Sequence, residues 1–231
     1  MDFFDAVKRR RSIRRFSEET VPDTVIERAL QAAVWAPNSS NTQTWNFYWV
    51  CSEDRKSQLK TACLSQSAAR SASHLVVVTA DPRLWRRSRP FLIQWTKDAA
   101  APRPVQLYYE KLIPASYRWG WFNFLGLVKW AGFAISGLFR PVPRRPAFKG
   151  DVYEVAIKSA ALAAENFVLA IAAQDYDSCM MEGFDEPRVR KAIGIRCDER
   201  VVMVIAVGKS APRGTWAPPF RIPDNLVIHK I

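Results

Sequence analysis

Apolar and polar positions follow two different periods along this chain, and the periods predict helices and strands in alternation. Apolar residues recur at helical spacing after Pro22, which suits a first helical turn because its missing N–H needs no partner there. Short runs of β-branched or aromatic residues are typical of buried strands. The predicted strands are 46–51, 74–80, 179–181 and 200–207, and the predicted helices run from 22 to near 37, 54–63, 153–174 and 186–193.

The longest helical pattern, 153–174, is rich in alanine and apolar almost all round, which predicts a central, buried helix. Because strands and helices alternate, the predicted fold class is α/β or α+β, with helices packed against a mixed central sheet. A chain of 231 residues is long enough for one well-buried core. We therefore predict a single domain, 1–231.

Positive charge is concentrated in one part of the chain. The whole sequence carries a net charge of +12, and residues 81–150 hold 13 of the 34 Lys and Arg residues but only three acidic ones. The same segment contains eight of the 15 prolines and five of the nine tryptophans. Since this composition differs from that of its flanks, we interpret 81–150 as a basic insertion into a near-neutral domain.

The composition argues against several kinds of chemistry. Two histidines, His74 and His229, are too few for a histidine-rich metal site, and they leave little from which to build a Ser-His-Asp triad. We predict no metal and identify no catalytic side chain. The four cysteines form no CxxC pair and the N-terminus has no secretory pattern, so we expect a cytoplasmic location, with peripheral contact at the inner membrane face left open.

Two motifs near the N-terminus carry the candidate chemistry. Residues 9–16, with the sequence RRRSIRRF, offer guanidinium groups and a hydroxyl, which bind phosphate through paired hydrogen bonds. A helix later, residues 36–45, with the sequence APNSSNTQTW, include a loop rich in small polar side chains. As an ordered pair the two motifs predict a site for a phosphate-bearing flavin.

The order of these motifs, followed by MEGF at 181–184, VVMVIAVG at 201–208 and FRIP at 220–223, resembles the FMN-dependent nitroreductase family. The resemblance covers about residues 1–80 and 151–231 and skips the basic segment. It implies a three-layer fold and an intertwined homodimer, with FMN at the dimer interface and each site built from both chains.

The resemblance also implies a set of FMN-binding residues. Arg10, Arg11 and Ser12 would contact the phosphate and ribityl chain, and Arg14 would lie at the N1/O2 edge of the isoalloxazine. A fixed guanidinium at that edge stabilises the negative charge of reduced flavin. The other candidates are Pro37, Asn38, Ser39 and Asn41 from the partner chain, Gln66 near the flavin edge, Met181, Glu182 and Gly183 near N5 and O4, and Arg221 at the phosphate.

The function implied by the resemblance is that of an FMN-dependent oxidoreductase. NAD(P)H would reduce the flavin, and a nitroaromatic, quinone or similar planar acceptor would then take its place in ping-pong order. Two alternatives stay open. One is a flavin-dependent dehydrogenase or dehalogenase specific for one metabolite, and the other is a non-catalytic basic module that binds a membrane surface.

Residues 119–139 form an apolar run with a single charge, Lys129, between basic flanks. Its length would suit a bilayer, but a spanning segment in mid-domain would place the two halves of the sheet on opposite sides. We expect instead a lid over the flavin, or an interfacial segment that contacts anionic lipid through its tryptophans and basic flanks. No nucleic-acid-binding motif accompanies the charge, so nucleic acid is not expected as a partner.

Overall fold

A four-stranded sheet lies at the centre of the fold, in a computed structural model that describes residues 1–231 apart from the side chain of Trp121. The strands are β1 (Trp45–Val50), β2 (His74–Ala80), β3 (Asp177–Met181) and β4 (Arg200–Gly208), in the order β1-β2-β4-β3. The α-helices are α1 (Phe3–Arg9), α2 (Asp23–Val34), α3 (Glu53–Ala62), α4 (Ser67–Ser71), α5 (Trp85–Asp98), α6 (Arg103–Leu107), α7 (Ile113–Tyr117), α8 (Phe124–Ser136), α9 (Lys149–Ala173) and α10 (Glu186–Ile193).

The predicted elements are all present, but the predicted mixed sheet is wrong. Every pair of neighbouring strands is antiparallel. Parallel pairing within the described residues is confined to one isolated bridge, between Ser12 and Ser178. The direction of these strands was hidden in the sequence because strands buried on both faces read as continuous apolar runs in either kind of sheet.

Helices cover both faces of the sheet, which confirms the expected three layers. All of β2 is buried, and its alternating side chains pack in opposite directions. Val76 and Val78 belong to a core shared with α2 and α9, whereas Leu75 and Val77 belong to a core shared with α3, α4 and α10. The sheet is therefore buried between two hydrophobic cores.

The helix α9 packs against the sheet as the predicted central helix, but it is buried on one side only. Ala156, Ala163 and Phe167 pack into the core, but Leu162 is 48% exposed and Ile157 is also exposed. By length and composition α9 could cross a membrane, yet half of its most apolar stretch is buried inside the fold, as in the core helix of a globular protein. The side of α9 that faces away from the sheet exposes apolar residues to solvent.

Residues 81–150 fold into helices around a small core that they share with the start of α9. The helical run from α6 to α7 is continuous through a π-helical stretch at Tyr108–Leu112. Two tyrosines anchor the segment to the loop after α2, because the Tyr108 hydroxyl lies 2.5 Å from Ser40 Oγ and the Tyr117 hydroxyl 3.0 Å from Thr42 Oγ1. The core residues are Trp85, Leu92, Tyr109, Ile113, Tyr117 and Val152.

Truncation of Phe167 tests the importance of the core between α9 and the sheet. The Phe167 ring is fully buried and lies 6.4 Å from the Phe47 ring, centre to centre. We expect Phe167→Ala to lower the free energy of unfolding by about 3–5 kcal/mol in denaturant titrations, because it leaves a cavity. The control Phe91→Ala, at a side chain 75% exposed, should change it by less than about 0.5 kcal/mol. Equal losses in both variants would contradict the described packing.

Candidate functional site

The N-terminal arginine motif runs beside the edge strand β3. Ser12 bridges Ser178 in parallel, and the Ile13 amide donates to the Ser178 carbonyl at 3.0 Å. Ile13 is buried in the core, whereas Ser12 is exposed and Arg14 half-buried. The apolar residue thus anchors the segment while its polar neighbours lie at the edge of the sheet.

Arg9 differs from the other arginines of the motif because its role is structural. Its guanidinium donates to the Ala172 carbonyl at 2.5 Å and lies 3.6 Å from Asp175 and 3.8 Å from Asp177. A cation at the C-terminal end of α9 satisfies unpaired carbonyls and opposes the negative end of the helix dipole. Arg9 therefore joins α1 to the end of α9 and is not among the candidate site residues.

Arg10, Arg11 and Arg14 of the motif line a cavity of about 640 Å³, a size typical of small-molecule sites. One wall is the N-terminal motif, and the other is the chain from Thr215 to Arg221. Among the residues that the structure describes, five cationic side chains and no carboxylate line the cavity. The lining residues are Val7, Lys8, Arg10, Arg11, Ser12, Arg14 and 215–221.

Close backbone approach joins the two walls of this cavity. The Arg14 amide donates to the Gly214 carbonyl at 2.6 Å, and Arg11 Nη2 donates to the Ala217 carbonyl at 2.6 Å. A Cβ atom at Gly214 would lie 2.8 Å from the Arg15 carbonyl oxygen, closer than side chains approach. Glycine at this position therefore lets the late segment lie against the motif.

Among the arginines of the N-terminal motif that line the cavity, two have neutral partners. Arg11 binds a carbonyl, and Arg14 lies with its Cζ atom 4.6 Å from the centre of the Trp216 ring and a nitrogen 3.5 Å from Cys179 Sγ. Arg10 has a carboxylate nearby, with Nε 3.7 Å from Glu165 Oε1. The positive charges of Arg11 and Arg14 are thus left without a carboxylate at the cavity.

Cys179 is a buried thiol behind Arg14. Burial raises the pKa of this thiol, and the neighbouring Arg14 opposes that effect only in part. Burial also raises the pKa of Cys63, to about 12. Both groups are therefore protonated near neutral pH and behave as small apolar side chains.

A second group of candidate residues follows β3. Met181 is buried at the end of the strand, and Glu182 and Gly183 are exposed beyond it. The side-chain amide of Gln66 donates to the Gly183 carbonyl at 2.6 Å. A Cβ atom at Gly183 would meet only that amide, at 3.4 Å, so the backbone here is open to close approach. The structure thus places Gln66 beside the Glu-Gly pair.

The loop after α2 lies at a different cavity, of about 420 Å³, against α9. Pro37, Asn38 and Ser39 line it together with the half-exposed Leu162, and Asn41 Oδ1 accepts from the Asn38 amide at 3.4 Å. Within one chain, the structure does not bring these four candidates into the arginine-lined cavity. They flank the exposed apolar side of α9.

Sequence reasoning missed Lys8, Thr215, Trp216 and Phe220 as lining residues. Lys8 directly precedes the arginine motif, so its charge was a usable signal. The chain from 215 to 221, with the sequence TWAPPFR, has no helical or strand period, and within it only the start of the FRIP motif at 220–223 was a usable signal. Its position depends on the tertiary contacts with Arg11 and Arg14.

A basic cavity beside the edge strand of a three-layer α/β fold suits a phosphate-bearing ligand. The sequence profile of the Nitroreductase family matches residues 7–209. The chain belongs to the Nitroreductase family and is an oxidoreductase, which confirms the family, fold and enzyme class predicted from sequence.

Relatives and solved structures agree with this assignment. Protein DrgA of Synechocystis sp. is 29% identical over 232 residues, covering 100% of this chain and 95% of that protein. A Thermus thermophilus protein named NADH dehydrogenase is 25% identical, covering 99% and 95%. A solved nitroreductase-type structure in complex with FMN, from Exiguobacterium sibiricum, has a TM-score of 0.74 at 22% identity and covers 100% and 98%. The predicted FMN cofactor and NAD(P)H donor are supported by these similarities.

Thiol titration tests the environment described for the cysteines. Cys51 and Cys197 are exposed, whereas Cys63 and Cys179 are buried with raised pKa values. Because the thiolate is the reactive form, we expect a disulfide reagent at pH 8 to modify two thiols quickly in the native protein and all four after denaturation. A Cys179→Ala variant should leave the fast phase unchanged. Loss of one fast thiol in that variant would contradict the burial of Cys179.

Proposed function

We propose that this protein is an FMN-dependent NAD(P)H oxidoreductase that reduces a small planar acceptor, such as a nitroaromatic compound or a quinone. The observation that carries the proposal is the cavity between the arginine motif and residues 215–221, with five cationic side chains and no carboxylate. The FMN bound in the Exiguobacterium neighbour and the name of the Thermus relative support the cofactor and the donor.

The residues of the cavity suit the phosphate of FMN. Arg11 uses one nitrogen for the Ala217 carbonyl and keeps further N–H groups for an anion. Arg10, Ser12 and the exposed Arg221 line the same cavity and add donors of the kind that phosphate takes. We therefore assign the phosphate to Arg10, Arg11, Ser12 and Arg221.

Arg14 suits the other end of the cofactor. When bound, FMN supplies N5, which takes hydride from NAD(P)H and passes it to the acceptor. The Arg14 guanidinium is held by Trp216 and Cys179 without a carboxylate partner, so its charge is available to stabilise an anionic ring edge. The open backbone at Gly183, with Gln66 beside it, lets main-chain groups approach the same ring.

A second copy of the chain would supply the remaining candidates. Pro37, Asn38, Ser39 and Asn41 flank the exposed apolar side of α9, and Trp35 at the end of α2 is also exposed. Large exposed apolar surfaces of this kind are typical of subunit contacts. We infer a homodimer in which this loop approaches the arginine-lined cavity of the partner, and we place the protein in the cytoplasm.

Residues 81–150 are proposed as the lid that selects the acceptor. Tyr108 and Tyr117 fix this segment to Ser40 and Thr42, in the loop assigned to the partner's cofactor. Donor and acceptor would occupy the space under the lid in turn, which is a ping-pong order. The lid would exclude water and orient planar ligands through its aromatic side chains.

The first test compares FMN with riboflavin, which lacks the phosphate. We expect Arg11→Ala to weaken FMN binding by about 10- to 100-fold, since a hydrogen bond to a charged group contributes about 1.5–3 kcal/mol. Riboflavin affinity should stay the same, because the lost contact is to the phosphate. Fluorescence titration of the apoprotein measures both, with the exposed Arg55→Ala as the control. An equal loss for both flavins would contradict the phosphate assignment.

Redox titration tests the role of Arg14. Loss of a cation near the ring disfavours the reduced, anionic flavin, so we expect Arg14→Ala to make the midpoint potential about 30 mV more negative, equivalent to ~1.4 kcal/mol. Arg14→Lys should restore most of the shift, whereas a purely structural role would not respond to charge. An unchanged potential in Arg14→Ala would remove Arg14 from the ring edge. Size-exclusion chromatography with light scattering on the same samples tests the homodimer.

A further inference from the structure

The helix α8 presents its apolar side to solvent. Its residues Phe124, Leu127, Val128 and Ile135, with Leu138 just beyond its end, are 55–78% exposed. They are spaced by three, one, seven and three positions, which places them along one face of a helix. We call these five residues the α8 stripe. A surface helix of a globular protein normally turns such a stripe towards the core.

The opposite side of α8 packs against the protein through its least apolar residues. Lys129 Nζ donates to the Ser116 carbonyl at 3.1 Å and to the Arg118 carbonyl at 2.5 Å, and burial lowers the pKa of this amine. Gly126 is buried, and a Cβ atom there would lie 2.8 Å from the Phe148 ring. These contacts fix the rotation of the helix, so the charge faces inwards and the stripe faces outwards.

Uncompensated positive charge surrounds the α8 stripe. Residues 111–150 contain seven Lys and Arg residues and no Asp or Glu. Within the described part of the chain, Arg118, Arg140 and Lys149 form no ion pair, whereas Arg145 pairs with Asp151 and Glu154. Arg118 also lines a cavity of about 370 Å³ that Leu125 of α8 borders. Apolar and cationic groups therefore meet on one surface.

The positive charge around the α8 stripe indicates which kind of partner covers it. A two-fold contact between copies of the α8 stripe would bring the same basic flanks together, which like-charge repulsion opposes. An anionic lipid surface complements both features, since its phosphates attract the cations and its acyl boundary accepts the apolar side chains. With 13 residues α8 is about 20 Å long, too short for a hydrocarbon core of about 30 Å.

We propose that the α8 stripe and its basic flanks dock this protein on anionic membrane surfaces, with α8 lying in the interface. The chain is then a peripheral protein whose lid segment contacts lipid. This contact is independent of the cofactor, because none of the residues lining the arginine cavity belongs to α8. Docking and flavin binding can therefore be measured separately.

Vesicle co-sedimentation of the full chain tests the proposal. Vesicles of phosphatidylcholine alone, or with phosphatidylglycerol, are mixed with protein at low and high salt. We expect binding to the anionic vesicles only, weakened by salt. Neutralising two flanking arginines in Arg118→Gln/Arg140→Gln should reduce the partition coefficient about 30-fold, at ~1 kcal/mol per charge. The matched control Arg28→Gln/Arg55→Gln, at two exposed arginines outside this surface, should have little effect.

A second pair of variants tests how much the apolar side chains of the α8 stripe contribute to vesicle binding. We expect Leu127→Ser/Ile135→Ser to lower binding to anionic vesicles about tenfold, because both side chains would be buried in the acyl boundary. The control Leu64→Ser/Phe91→Ser alters two side chains that are equally exposed elsewhere. Absence of sedimentation with anionic vesicles overturns the proposal, and so does equal binding by the stripe and control variants. A stripe variant that changes the oligomeric state, in a protein that ignores vesicles, would assign the stripe to a subunit contact instead.

Discussion

The attachment of the N-terminal segment to the edge strand β3 is the constraint on which the candidate site depends. Ile13 is buried in the core below the sheet, and its amide binds the Ser178 carbonyl. With that residue fixed, Ser12 and Arg14 on either side have to lie at the sheet edge. The same segment holds the chain around Gly214, which carries the opposite wall of the cavity. Core packing and the candidate cofactor site are thus joined in a few consecutive residues.

Charge compensation divides the arginine motif into structural members and candidate anion-binding members. Arg9 is surrounded by carboxylates and carbonyls and joins α1 to the end of α9. Arg10 has one carboxylate nearby, while Arg11 and Arg14 have only a carbonyl, a thiol and an aromatic ring. When the groups that hold a cation are neutral, no nearby negative charge compensates it, so it can attract an anionic ligand. The gradient from Arg9 to Arg14 therefore distinguishes residues that hold the fold from residues that suit an anion.

The sequence predicted most of the elements because each of them has a strong local period, and it placed the arginine motif because the motif is local too. Three features depend on tertiary structure and could not be predicted from the sequence. Strand direction is not encoded in the apolar run of β2. The half-exposed Leu162 of α9 reads like its buried neighbours Ala160 and Ala163. Trp216 lies in a segment without a period, and only its contact with Arg14 places it at the site.

The proposed lid segment, residues 81–150, connects the loop after α2 with the outward-facing α8 stripe. Its inner side is fixed by polar groups, through Tyr108 and Tyr117 on the loop after α2 and Lys129 on backbone carbonyls. Hydrogen bonds of this kind are directional, so they specify the orientation of α8 where apolar packing would not. Because of that orientation, the apolar side chains of the α8 stripe face solvent. With the function and the docking proposed above, a segment that holds the candidate flavin loop on one side and offers an apolar surface on the other would suit acceptors that partition into lipid.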